Sequence, residues 1–248
     1  MLNYMMADIK WIMHKKSTYF IVIFFMVFHV LANHITHTDS DPKEMLLVMI
    51  SYTTVVPLFI GLPIFLSVYA DDLKTKSMQV AIGFGISRQK VIFVKILEAA
   101  VLTVIAALLA GIGVTAISMA FGVPFTGAQI GSIALSFAWE AVRTVAYMIM
   151  TLPLLYLTQS YVAGNCMYIF FATGVPAQMM NILLTSKVVE NFVKDGNDYL
   201  LTEALAVQKD ALTTGAAIPL YTWVTIGVYL ILAILLAIQF FRKKELEF

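Results

Sequence analysis

Six long apolar stretches limit what this chain can fold into more than any other feature. A helix needs about 20 mostly apolar residues to cross the hydrocarbon core of a bilayer. The first stretch is shorter than this, but its helix can extend through Ser17 and Ile35. We therefore predict an all-α integral membrane protein with six transmembrane helices. The stretches lie at residues 19–33, 45–70, 91–121, 130–158, 161–185 and 217–241.

The composition excludes several other classes of protein. Hydrophobic residues make up 60% of the 248 residues and charged residues only 12%, whereas soluble proteins have about 45–50% and about 25%. A net charge of +1 leaves no basic surplus for binding nucleic acid. A single cysteine, Cys166, excludes an internal disulfide and a cysteine-rich zinc site.

The distribution of Lys and Arg predicts the orientation in the membrane. Cytoplasmic segments carry an excess of these residues, and most of the 16 present fall on one side if the N-terminus is inside. We therefore expect both termini in the cytoplasm, with an interface helix at 1–16, a membrane domain at 17–241 and a tail at 242–248. A secretory signal peptide would also fit the basic residues and apolar run of the first segment, but we expect this segment to be the first span.

The first 16 residues have the periodicity of an amphipathic helix. Apolar side chains recur at helical spacing, with Lys10 and His14 on the opposite face, and Trp11 suits the headgroup level. This pattern predicts a helix lying on the inner membrane surface, although the residues could instead form the first turns of the first span. The apolar stripe consists of Leu2, Met5, Met6, Ile9, Ile12 and Met13.

The segment at residues 71–90 is the only sizeable polar connection on the predicted cytoplasmic side. Asp71 and Asp72 favour the start of a helix, where the helix dipole stabilises carboxylates. Gly83 and Gly85 favour its end, and Ser87 can cap the helix that follows. The sequence thus predicts a short helix at about 71–82 with the chemistry of a docking element, as an alternative to an ordinary solvated loop.

These features together resemble the type-2 (ABC-2) family of ABC transporter permeases. The resemblance rests on the acidic residues after the second span, the Gly-x-Ser-Arg sequence at 85–88, a tight turn at Gln159–Ser160, and a long outer segment at 186–216. It implies that helix 71–82 is a coupling helix bound by an ATP-binding subunit, and that short external helices occupy 186–216. The implied ATPase-coupling residues are Asp71, Asp72, Lys74, Thr75, Lys76, Met78, Gln79, Gly83, Ser87, Arg88, Gln159 and Ser160.

The resemblance also implies partners and cargo. Two ATP-binding subunits would hold ATP and magnesium, and a second permease copy, identical or paralogous, would complete the pore in a bacterial plasma membrane. An apolar and aromatic interior suits an amphipathic peptide, such as a toxin or bacteriocin, or a hydrophobic drug. The family position suggests a substrate path lined by Tyr52, Phe59, Phe65, Asn165, Tyr168, Phe171 and Met179.

No catalytic motif is present in the sequence. The chain has no Gly-Lys dipeptide, and hence no P-loop. It also lacks the His-Glu-x-x-His zinc motif and the Gly-x-Ser-x-Gly nucleophile elbow. We therefore expect a transport subunit that is not an enzyme and binds no cofactor itself.

Two charge pairs fall within the apolar stretches, where insertion of each charge costs several kcal/mol. Lys95 with Glu98 and Glu140 with Arg143 are spaced three apart, so each pair shares a helix face. Either pair could be structural or functional. The main alternative to the exporter is therefore an ion-coupled secondary transporter or channel that uses Glu140, and a third possibility is a membrane scaffold or enzyme subunit.

A group of polar residues in the first outer loop could bind a divalent ion. It comprises His34, His37, Asp39 and Asp41, with His29 deeper in the span. Its spacing matches no recognised metal site, and we expect no bound metal.

Overall fold

A computed structural model of the chain describes residues 2–36, 42–184 and 196–243. Within these ranges, all regular secondary structure is helical, as the apolar runs predict. Helix α1 spans Leu2–Met13 and α2 spans Lys16–Thr36. The amide of Lys15 donates to the carbonyl of Ile12 (3.0 Å), and this tight turn separates the two helices. The N-terminal helix is therefore not the first turns of α2.

The apolar stripe predicted for α1 is divided between two environments. Ile9 and Ile12 are buried inside the protein, whereas Met6 and Met13 are exposed together with Trp11. One apolar edge of α1 therefore packs against the rest of the chain, and a second apolar edge is exposed on the surface.

Helix α3 is continuous but irregular. It begins as an α-helix at Pro42–Tyr52, passes through a 3₁₀ turn at Thr53–Val55, and has π-helical turns at Pro57–Gly61 and Leu66–Ala70. Pro57 has no amide hydrogen to donate and its ring crowds the preceding turn, which explains the change in winding there. An α-helical turn at Asp71–Thr75 completes α3.

The short helix predicted at 71–82 is divided in the structure. Residues 64–70 contain no glycine or proline that would end the helix before Asp71. Helix α3 therefore continues to Thr75, and Lys76, in a left-handed conformation (φ 57°, ψ 23°), makes the break. Helix α4 then spans Ser77–Gly83. The predicted range 71–82 is therefore helical in two pieces, separated at Lys76, and the second piece ends at Gly83 as expected.

Two long helices follow. Helix α5 spans Arg88–Ala120 and α6 spans Gly127–Thr158. The predicted fifth span is bent by 59° into α7 (Tyr161–Ala172) and α8 (Val175–Leu184). Gly174 has a positive φ of 74° at the bend, a conformation that glycine adopts easily. After a 3₁₀ turn at Gly196–Tyr199, α9 spans Leu201–Thr214 and α10 spans Leu220–Lys243.

Among the described residues, four helices are long and apolar enough to cross a membrane, or five if the bent pair counts as one span. The four are α3, counted from Glu44 to Thr75, and helices α5, α6 and α10. In α2 the side chains of residues 17, 18 and 33–36 lie outside the described part of the chain, and the apolar stretch between them is Tyr19–Ala32. The described residues thus support a membrane protein with four or five apolar spans.

The chain divides into two compact units within α6, after Val145. In unit 1, an aromatic core forms where the ring of Phe25 lies 6.0 Å from Phe59 and 6.3 Å from Phe137. Glycines allow close packing here, because the position of a Cβ on Gly113 is occupied by Met26.

Unit 2 has its own internal packing. The rings of Tyr156 and Phe241 lie 4.5 Å apart, and Gln208 donates a buried hydrogen bond of 2.8 Å to Thr222, which joins α9 to α10. Of the outer segment predicted at 186–216, residues 186–195 lie outside the described ranges, as do tail residues 244–248.

Candidate functional site

The connecting segment, residues 71–90, is held in a fixed shape by its local sequence. After α4, Gly85 adopts a positive φ of 88° and reverses the chain. The Ser87 hydroxyl then accepts a hydrogen bond from the Lys90 amide (3.4 Å) and caps α5. On its inner side, Met78 and Ala81 are buried. The segment is therefore a packed element of unit 1.

Both aspartates at the start of this segment point towards other parts of the chain. Asp71 forms an ion pair with Lys15, just after α1. Asp72 is buried and lies 2.5 Å from Lys95 on α5. Asp72 and Met78, which we predicted to contact an ATPase, are therefore unavailable to a partner in this conformation.

The outward-facing residues of the segment form what we call the exposed face, comprising Lys74, Thr75, Lys76, Val80 and Phe84. Phe84 is 85% exposed, the highest value among the large hydrophobic residues described. A shallow cavity of about 410 Å³ lies beside it and is lined by Lys76, Gln79, Val80, Gly83 and Phe84. The sequence has no acidic residue between Leu73 and Leu97. The exposed face therefore combines positive charge with one prominent aromatic side chain.

The remaining predicted coupling residues differ in accessibility. Gly83 and Ser87 are exposed, while Gln79 and Arg88 are partly buried. In unit 2, Gln159 has a positive φ of 53° and Ser160 caps α7 by accepting a hydrogen bond from the Ala163 amide (3.3 Å). The predicted turn at these two residues is therefore formed, and both side chains are partly buried.

Lys95 is the centre of a buried group that we call the Lys95 cluster, made of Asp8, Asp72, Lys95 and Glu98. The Lys95 side chain is 1% exposed, and its Nζ lies 2.5 Å from Asp72, 2.7 Å from Asp8 and 2.9 Å from Glu98. These carboxylates come from α3, α1 and α5. The cluster therefore joins the N-terminal helix and the connecting segment to α5.

The aromatic ring of Tyr4 completes this environment from α1. Its centroid lies 5.2 Å from Lys95 Nζ, within the range of a cation–π contact. Burial raises the pKa of the Tyr4 phenol, and the nearby Lys95 charge opposes that effect. Tyr4 therefore stays neutral at physiological pH.

Four residues of these two sites were not predicted as site residues from the sequence, namely Phe84, Val80, Asp8 and Tyr4. Val80 gave no distinctive signal. Phe84 stands between Gly83 and Gly85, and an aromatic residue at such a turn could have been noticed as exposed. Asp8 is the only acidic residue before Asp39, and this isolation within a basic helix was a usable signal. Tyr4 gave no comparable signal.

The second predicted pair, Glu140 and Arg143, also lies in unit 1. The side chain of Arg143 is 2.8 Å from the buried carboxylate of Glu140. Arg143 also donates a hydrogen bond of 2.5 Å to the carbonyl oxygen of Thr54, in the 3₁₀ turn of α3 before Pro57. Glu140 therefore has a matched cation, which also ties α6 to the irregular part of α3.

The residues predicted to line a substrate path fall in both units. In unit 1, Tyr52 lies against His29 (ring centroids 5.9 Å) and Phe65 is fully buried against Tyr69 (5.1 Å). In unit 2, Tyr168 is also fully buried, whereas Met179 is exposed. Phe65 and Tyr168 therefore do not line an open path in this conformation. The other three, Phe59, Asn165 and Phe171, are partly buried.

An apolar cavity in unit 2 was not anticipated from the sequence. It has a volume of about 730 Å³, and tyrosines and aliphatic residues of the 3₁₀ turn and α10 line it. The lining includes Tyr199, Tyr221, Val224, Tyr229 and Leu232. Such a surface can accept an apolar chain.

Within the described ranges, no group of three or more His, Cys, Asp and Glu residues is arranged to hold a metal ion. Of the loop considered above, His37, Asp39 and Asp41 lie outside these ranges, and so does the side chain of His34. Comparison with the models of known protein families and with curated proteins gives no match.

Proposed function

We propose that this chain is the permease subunit of an ATP-driven ABC exporter of the ABC-2 type. The observation that carries the proposal is the exposed face, in which Phe84 and two lysines project from a segment packed rigidly on α5. Contiguous apolar patches on a protein surface commonly mark interfaces, and aromatic side chains are frequent anchors of such interfaces. Val80 and Phe84 line the same surface cavity.

In this proposal the six apolar stretches are transmembrane spans, with both termini in the cytoplasm of a bacterial cell. The Lys and Arg residues around the start of α2, in the connecting segment and in the last turn of α10 support this orientation. The exposed edge of α1, with Met6, Trp11 and Met13, would lie in the inner membrane interface.

The partner would be a separately encoded ATP-binding subunit, in two copies, that holds ATP and magnesium. It would bind the exposed face and the turn at Gln159–Ser160 of each of two permease copies. Closure of the ATPase dimer would move the connecting segment, and the Lys95 cluster would transmit this movement to α1 and α5. The ion pairs of Lys95 with Asp8, Asp72 and Glu98 support this step, because they join the connecting segment to α1 and α5.

The cargo class is proposed from the apolar surfaces. The cavity beside Tyr199 and Tyr229 has an almost wholly apolar lining, and the partly buried Phe59 and Phe171 and the exposed Met179 add adaptable surface. These features favour export of an amphipathic peptide or a hydrophobic drug.

The ion-coupled alternative based on Glu140 has less support. Glu140 lies 2.8 Å from Arg143, an arrangement typical of a structural ion pair.

The proposal is tested by co-purification with the ABC-type ATP-binding subunit encoded next to this chain's gene. The variant Phe84→Ala/Lys76→Glu removes the anchor and reverses one charge of the exposed face. We expect at least about a 30-fold weaker association, the equivalent of one interface hot spot of about 2 kcal/mol.

The matched control changes the same residue types elsewhere in the protein. Phe20→Ala/Lys10→Glu alters a Phe that is 70% exposed and an exposed Lys away from the connecting segment, and it should bind normally. Equal binding by both variants would show that the exposed face is not the docking site. Failure of the wild-type chain to bind the subunit would overturn the proposed function.

A further inference from the structure

The Lys95 cluster contains more negative than positive groups. One ammonium faces three carboxyl groups, those of Asp8, Asp72 and Glu98, at 2.5–2.9 Å. Lys95 donates a hydrogen bond of 2.7 Å to Asp8, and its contacts with Asp72 and Glu98 are ion pairs. Its single charge balances only one of the three carboxylates.

The three carboxyl groups differ in their access to water. Their side chains are 27% exposed for Asp8 and 11% for Asp72, but 0% for Glu98. Both oxygens of Glu98, Oε1 and Oε2, are buried without a hydrogen-bond partner within the described part of the chain, and Oε2 has only the ion-pair contact with Lys95. Water can therefore reach the two aspartates, while Glu98 depends on Lys95 alone.

The surroundings of Glu98 disfavour a third negative charge. Asp8 faces Glu98 from α1, and Asp72 faces it from α3. The neutral Tyr4 also lies on α1, and Lys95, on the same helix as Glu98, is shared by the three carboxyl groups. Like charges at this distance disfavour ionisation, and a carboxylate buried without enough partners takes up a proton instead.

We propose that the Lys95 cluster is a proton-binding site in which Glu98 is a neutral carboxylic acid, while Asp8 and Asp72 are ionised and share Lys95. The proton sits where α1, the connecting segment and α5 meet. Its loss would leave three negative charges around one ammonium and would weaken the attachment of α1 and α3 to α5. This inference does not depend on the exporter proposal, because it concerns this chain alone.

Glu98 and Glu140, the two acids within the apolar stretches, differ in how many cations each has. Glu140 has one cation of its own, Arg143, whereas Glu98 shares one cation with two other carboxylates. If this chain couples transport to protons, Glu98 is therefore the carboxyl group that can carry them.

The test compares Glu98→Gln with Asp72→Asn in the purified full-length chain. Gln has nearly the shape of a protonated Glu and the same charge, so Glu98→Gln should leave the Tm within about 2 °C of wild type. Asp72→Asn removes an ionised partner of Lys95 and should lower the Tm by about 5 °C or more.

Infrared spectroscopy provides the second readout. Wild-type protein at neutral pH should show the C=O band of a protonated carboxyl group, which Glu98→Gln removes and Asp72→Asn retains. Stability should also fall as the pH rises above about 4.3, where the Glu of the unfolded chain ionises. The folded chain still holds the proton there, and Glu98→Gln should flatten this slope.

Each contrary result overturns the proposal. If Glu98→Gln fails to fold or lowers the Tm as much as Asp72→Asn, Glu98 is an ionised partner of Lys95. An infrared band that is absent from the wild type, or unchanged in Glu98→Gln, shows that the proton is not on Glu98.

Discussion

At the scale of single residues, unit 1 pairs its internal acids with two cations, the buried Lys95 and the partly buried Arg143. Lys95 binds acids from three parts of the sequence, and Arg143 binds one acid and one backbone carbonyl. A buried charge that loses its partner is strongly destabilising, because its desolvation is no longer compensated.

Replacing Lys95 by Met keeps the length of the side chain and removes its charge. Three acids then face one another without a cation, and we expect a loss of about 3–5 kcal/mol. This corresponds to a Tm lower by about 10 °C or more for a chain of this size, measured by thermal unfolding in detergent. The control Lys10→Met, at an exposed site on α1, should change the Tm by under about 2 °C. A Lys95→Met variant as stable as the control contradicts this account.

Arg143 gives a second prediction that uses a double mutant. Arg143→Met leaves the fully buried Glu140 without its cation and should cost about 3 kcal/mol. Adding Glu140→Gln removes the uncompensated charge and should recover more than half of that loss. Thermal unfolding of the single and double variants measures the coupling, and strictly additive losses would show that the two side chains do not interact.

The sequence predicted these contacts only where they are local. Lys95–Glu98 and Glu140–Arg143 are three residues apart, so helix geometry alone brings them together. Asp8 lies 87 residues from Lys95 in the chain, and its contact depends on how α1 packs against α5. The hydrogen bond from Arg143 to Thr54 is equally remote, and it depends on the irregular winding of α3 near Pro57.

At the scale of elements, the break between α3 and α4 gives the connecting segment its shape. Lys76 is left-handed (φ 57°), which costs an ordinary residue roughly 1–2 kcal/mol. The break turns Met78 inwards and leaves Val80 and Phe84 outside.

Glycine and alanine substitutions at two lysines test this conformation. At Lys76, Gly should be about 1 kcal/mol more stable than Ala, because glycine adopts a positive φ without strain. At Lys74, within the last helical turn of α3, the order should reverse by about 0.5–1 kcal/mol. Chemical or thermal unfolding of the four variants gives both differences. The same order at both sites would mean that Lys76 is not left-handed.

Long elements were predictable from the sequence and their irregularities were not. The apolar runs gave α5 and α6 to within a few residues, because length and hydropathy define them. The 59° bend between α7 and α8 follows from Gly174 and Pro176, and both residues were visible in the sequence. Their combined effect depends on local backbone geometry, which a count of apolar residues does not contain.

For the whole molecule, the proposed exporter function requires each polar segment to lie on a particular side of the membrane. The exposed face must lie in the cytoplasm to meet an ATPase, and the end of α9 must then lie outside. The distribution of Lys and Arg predicts this arrangement. The number of spans is predicted from the six apolar stretches, and the described residues support four or five of them.

Cysteine labelling in intact cells tests the orientation. In a Cys166→Ser background, a membrane-impermeant maleimide should label Thr214→Cys and should label Thr75→Cys only after the cells are permeabilised. Both positions are exposed in the structure, so accessibility within the protein is matched. Labelling of Thr75→Cys in intact cells would reverse the predicted topology.

The most direct test of the exporter account is ATP hydrolysis in proteoliposomes that contain this chain and the ATP-binding subunit encoded beside its gene. The account predicts that the wild-type chain recruits the subunit to the vesicles and changes its rate of hydrolysis. Phe84→Ala/Lys76→Glu should lose this effect, and Phe20→Ala/Lys10→Glu should keep it. A subunit that stays soluble, or hydrolyses ATP at the same rate with and without the wild-type chain, would contradict the account.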